Sequence, residues 1–134
     1  MEFDEVIRRR RSVRRYSDRR PDPEVVSRVI DQARRAPTAG FSQGVDFLVL
    51  DDEAALTAFW TLTDDPGFPM DGEEKGALPP TLVLVWSDPQ RYIERYSAPD
   101  KIEFGMNDID SWPVRFWDVD AGMAAMQLQL AAVN

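Results

Sequence analysis

Apolar residues recur with helical spacing from the start of the chain: Phe3, Val6 and Ile7 fall at i, i+3 and i+4, and Arg10 continues the stripe with its aliphatic stem. This spacing predicts a short amphipathic helix ending in arginines, which suit a helix C-terminus. Residues 11–21 have no period and close on Pro21, so a loop is expected there. Asp22 then offers a cap and Pro23 a first helical position, with Val25, Val26, Val29, Ile30 and Ala33 as the apolar face of a second helix. Pro37 stops that helix, and Pro37-Thr38-Ala39-Gly40 opens a turn.

Val45 to Leu50 is a short, mostly apolar run that reads as a buried strand. Asp51 or Asp52 caps a third helix reaching about Leu62, and residues 64–80, rich in Asp, Gly and Pro, read as a long loop. The clearest strand is Thr81 to Trp86. Pro89 starts a helix carrying Tyr92, Ile93 and Tyr96, whereas residues 97–112 look irregular. Pro113 opens the last predicted helix, which sets Val114, Trp117, Ala121, Ala124, Ala125, Leu128 and Ala132 along one side. There is no internal repeat. The last helix runs apolar to Asn134, and two strands are few for so many helices, so the front part of a longer domain is expected.

Composition narrows the chemistry. The 134 residues suit a single domain, and cysteine and histidine are both absent. Those absences remove disulfides, thiol nucleophiles, Cys/His zinc sites and histidine-based triads. Only Lys75 and Lys101 could form a Schiff base. No metal centre is expected, and a bound cofactor or a carboxylate must carry any reaction. The net charge of −8 is uneven: residues 1–35 hold 11 arginines against 7 acids, and the rest is strongly acidic. An acidic body argues against nucleic acid as a partner, since duplex binding neutralises phosphates over a wide surface. A local arginine cluster suits one small anionic ligand. No apolar run is long enough for a membrane helix, and the acidic N-terminus is no signal peptide, so a cytoplasmic protein is expected.

Two segments could carry chemistry. Arg10-Arg11-Ser12-Val13-Arg14 offers guanidinium groups and a hydroxyl, a donor set that binds phosphate, although a solvated basic face has the same composition. Ala36-Pro37-Thr38-Ala39-Gly40-Phe41-Ser42-Gln43-Gly44 has small residues that let backbone approach a flat ligand, or it is a plain connection. In order and spacing, the Arg-x-Ser-Val-Arg loop, then Ala-Pro-Thr-x-x-x-Ser-Gln one helix later and a strand, resemble the N-terminal part of the nitroreductase-like flavoproteins. The tail from Trp117 to Ala132 resembles that family's long central helix.

The resemblance implies an α+β nitroreductase-like fold, a central mixed or antiparallel sheet flanked by helices, in an intertwined homodimer. The chain would stop before the last strands of such a domain. It further implies an FMN-dependent oxidoreductase that uses NAD(P)H to reduce a nitroaromatic, quinone or similar small electron acceptor. Flavin or deazaflavin binding without turnover is the alternative. Carried over by position, Arg10, Arg11, Ser12 and Arg14 would hold the FMN phosphate and ribityl chain. Pro37, Thr38 and Ala39 would pack on the isoalloxazine ring from the opposite subunit, and Ala121, Gly122, Ala124 and Ala125 would form the dimer seam. Two residues depart from the family's pattern: Phe41 stands where Asn is common, and Gly44 where Pro is usual.

Overall fold

A computed structural model describes residues 1–63 and 78–134. Within them run α1 (Phe3–Arg9), α2 (Pro23–Ala33), β1 (Val45–Leu50), α3 (Glu53–Thr63), β2 (Leu82–Ser87), α4 (Pro89–Tyr96) and α5 (Phe116–Val133). Short 3-10 turns occupy Ala39–Phe41, Ile102–Phe104 and Ile109–Ser111. Asp22 and Asp52 cap their helices as the sequence suggests, and Asp88 caps a third. Asp22 accepts the Glu24 N–H at 2.8 Å, Asp52 the Ala55 N–H at 2.8 Å and Asp88 the Gln90 N–H at 3.0 Å. Pro23 and Pro89 open their helices, where a missing N–H removes no intrahelical bond. The long loop expected over residues 64–80 lies mostly outside the described residues.

The fold is α+β, as expected. The strands pair antiparallel, from Val45 opposite Ser87 to Leu50 opposite Leu82. Cross-strand partners share a face, so Val45, Phe47 and Val49 look one way and Asp46, Leu48 and Leu50 the other. β1 is therefore not the doubly buried strand its apolar run suggested. α5 packs against the sheet, while Leu48 and Trp86 on the opposite face stand 55% and 67% exposed.

Four aromatic side chains form the core: Tyr92 and Tyr96 from α4, Trp112 from the preceding connection and Trp117 from α5. Trp112 is the hub, edge-on to Tyr96, Trp117, Tyr92 and Phe116 at 4.7, 5.7, 6.0 and 6.2 Å between ring centres. The last helix begins at Phe116, later than Pro113, because a tight turn closed by the Phe116 N–H on the Val114 carbonyl (2.9 Å) intervenes. Val114 is consequently exposed and lies off the helix. α5 also packs against α2, and Ala124 is buried within the chain, so it is not free to line a seam between subunits. Gly122, Met123 and Met126 face outward instead.

Candidate functional site

The segment after α2 turns on its own hydrogen bonds. The Phe41 N–H donates to the Thr38 carbonyl (2.9 Å), the Gln43 N–H to Thr38 Oγ1 (2.9 Å) and Ser42 Oγ to the Ala39 carbonyl (2.6 Å). Gly40, Phe41 and Gln43 all take left-handed backbone, with φ of +61°, +58° and +51°. Glycine accepts that conformation freely, but a bulky aromatic residue does so only where its surroundings impose it.

Those surroundings are α4 and α5. Asp120 Oδ2 accepts both the Ala39 N–H and the Tyr92 hydroxyl, each at 2.8 Å. Arg95 Nε donates to the Gly40 carbonyl at 2.9 Å, and its terminal nitrogens hold Asp100 at 2.9 and 2.7 Å. Arg91 donates to the Gln43 carbonyl (3.0 Å) and grips Asp46 of β1 at 3.2 and 2.7 Å. Gly44 is buried under the Tyr92 ring, and any side chain there would strike Tyr92 Cε2, so the position has room only for glycine.

The turn forms one wall of a cavity of about 750 Å³, with Pro37, Thr38, Phe41 and Gln43 on that wall. Val45 and Phe47 of β1, the end of α2, Arg91, Asp120 and Ala124 complete it. The volume is in the range of cofactor sites. Phe41 stands 75% exposed.

Burial, then the hydrogen bond to Asp120 and its charge, push the Tyr92 phenol well above its ordinary value of 10.0. The folded chain then keeps a proton that the unfolded chain releases. The contribution to stability is full below that ordinary value and declines as pH rises through it. The urea midpoint is expected to fall between about pH 9 and about pH 11, and to fall less in Tyr92→Phe. Arg95, through its hydrogen bond, holds the Asp100 carboxyl below the usual range, but this pair is exposed and adds little to stability.

The residues named from sequence fall in two places. Pro37 and Thr38 wall the cavity, and Ala39 is anchored by Asp120 beside it. Arg10 ends α1, its N–H on the Val6 carbonyl at 3.0 Å, while Arg11, Ser12 and Arg14 are exposed on the loop that follows. The Arg11 guanidinium folds back on the carbonyls of Arg8 and Arg10. None of the four lines this cavity or the apolar one between α1, α2 and α5. Asp120, Arg91 and Arg95 were not anticipated. For Asp120 a signal existed: it lies three residues after Trp117 and four before Ala124, on the buried side of α5.

Residues 7–65 match the model of the nitroreductase family. No curated protein matches the chain. A protein from Exiguobacterium sibiricum assigned as a nitroreductase, solved in complex with FMN, superposes with a TM-score of 0.62 at 19% identity, over 98% of this chain and 69% of that one. An FMN complex of a protein from Desulfovibrio desulfuricans, likewise assigned as a nitroreductase, gives 0.52 at 25% identity, over 97% and 61%. A nitroreductase family protein from Streptococcus pneumoniae gives 0.63 at 20% identity, over 97% and 70%. The chain thus spans 61% to 70% of the length of these three. At 19% and 20% identity the likeness is one of fold. The chain thus has the fold of these nitroreductase structures, and its residues 7–65 match the model of that family.

Proposed function

We propose that the protein is an FMN-dependent oxidoreductase that uses NAD(P)H to reduce a small electron acceptor, a nitroaromatic, a quinone or a similar compound, and works as a cytoplasmic homodimer. The observation that carries the reading is that both segments singled out by sequence lie within the matched stretch, and one of them walls a cavity of about 750 Å³. The FMN found in two of the fold relatives belongs to those proteins; the donor set here is chemically suited to the same group. Guanidinium groups and a hydroxyl on an exposed loop fit a phosphomonoester, and the small residues Ala39 and Gly40 fit a planar ring.

In this reading Arg10, Arg11, Ser12 and Arg14 bind the phosphate end and Pro37, Thr38 and Ala39 the ring. When bound, FMN supplies the two-electron chemistry between a reduced nicotinamide and the acceptor. The chain's own part is to bind and to orient. The turn arrives already bent, so little ordering remains when a ligand settles against it. Asp120 and Arg95 occupy the turn's backbone groups from inside, which leaves its outer side to the ligand. The exposed Met123 and Met126 on α5 suit contact with a second copy.

The first test is the visible spectrum of the purified protein, followed by FMN titration. Arg14→Ala is expected to weaken FMN binding by ~10- to 100-fold, the value of a charge-assisted hydrogen bond. Arg19→Ala and Arg20→Ala are expected to change it by less than ~2-fold. Equal affinity in all three variants would remove the phosphate assignment.

A further inference from the structure

Asp120 is the one buried charged residue among the described residues, 2% exposed. None of the described arginines or lysines is paired with it. A buried carboxylate with no paired cation among the described residues is expensive, so its position calls for a reason. Both donors it receives converge on one oxygen, from the Tyr92 hydroxyl within the core and from the Ala39 N–H in the turn. Asp120 therefore joins the core to the turn at the residue just before three left-handed positions. Backbone of that kind persists only where the surroundings fix it. The visible product is the Phe41 ring, held outward on the cavity wall.

We propose that Asp120 is a positioning residue: through the Ala39 N–H it sets the bend of the 38–41 turn, and so sets ligand affinity at the cavity that Phe41 and Thr38 wall. The ligand's being FMN rests on the function proposed above; the action of Asp120 on the turn does not. An oxygen acceptor at this point is what the arrangement requires. Asparagine can supply one and alanine cannot.

Two readouts on the full chain test this. Amide hydrogen exchange at Ala39 and Phe41, followed by NMR without ligand, reads the turn alone; fluorescence titration with FMN reads the cavity. Asp120→Ala is expected to speed exchange at both amides by ~10-fold or more and to weaken FMN binding by ~10-fold, while Asp120→Asn restores both to within ~3-fold. Tyr92→Phe removes the core hydrogen bond and leaves the one to Ala39. It is expected to lower thermal stability yet leave FMN affinity within ~2-fold. If Asp120→Ala does not fold, Asp120→Glu displaces the carboxylate by one methylene and is expected to give the same acceleration and loss.

Unchanged exchange at Ala39 in the Ala or Glu variant overturns the proposal. So does FMN affinity that falls as far in Tyr92→Phe as in Asp120→Ala, since the carboxylate would then be an ordinary core group. If the unaltered protein takes up no FMN but exchange at Ala39 responds as expected, the flavin reading fails and the action of Asp120 on the turn stands.

Discussion

Replacing Gly40 by valine is expected to lower stability by about 3–5 kcal/mol, combining backbone strain with overpacking. The strain arises because a β-branched residue would have to hold a φ of +61°. The overpacking arises because a Cβ at Gly40 would lie 2.5 Å from Tyr96 Cε2 and 3.0 Å from its Cζ. Tyr96 cannot swing away, because its ring is wedged against Trp112 at 4.7 Å. The turn would have to leave α4, giving up the bond from Arg95 to the Gly40 carbonyl. Urea denaturation measures this directly. A loss under about 1 kcal/mol would show that the turn is not seated on the core. Gly105 is the control: its φ is also positive, but no atom lies within 4 Å of the built Cβ, so Gly105→Ala carries the strain alone.

Trp112→Ala is expected to cost about 3–5 kcal/mol, a large share of the 5–15 kcal/mol that holds a typical domain together. Its ring meets four others edge-on, so truncation empties the centre of the cluster and takes one edge contact from each neighbour. The indole N–H makes no hydrogen bond among the described residues. Trp112→Phe therefore loses volume and edge contacts but no polar bond, and about 1–2 kcal/mol is expected for it. Thermal melts of the pair separate the two contributions. Similar losses in both variants would mean that the N–H has a partner and that the cluster is held by more than packing.

Much of this architecture could be read from local chemistry. Asp22-Pro23 and Asp88-Pro89 mark helix starts because a carboxylate oxygen meets a free N–H and proline needs none. The two strands announce themselves through apolar runs, and the turn through its Pro, Gly and small residues. What escaped depends on partners far along the chain. The run Val45–Leu50 cannot say that only one of its faces meets a helix, so Leu48 was expected inside and stands outside. Asp120 interrupts an apolar stripe, and without the Ala39 N–H, 81 residues earlier, it reads as a break in that stripe. Arg91 and Arg95 look like surface charges until the carbonyls of Gln43 and Gly40 arrive beside them.

The aromatic cluster beneath the turn has an optical consequence. Trp112 and Trp117 stack edge-on with Tyr92, whose hydroxyl shares a carboxylate oxygen with the turn's Ala39. Trp86, by contrast, stands largely in water on the far sheet face. The emission spectrum should therefore contain a blue component from the buried pair and a red one from Trp86, with the half-buried Trp60 of α3 between them. A coloured ligand lodged at the turn would draw excitation from the buried pair by energy transfer, so the blue edge would dim in step with occupancy. The protein thus carries its own binding gauge, legible without a label.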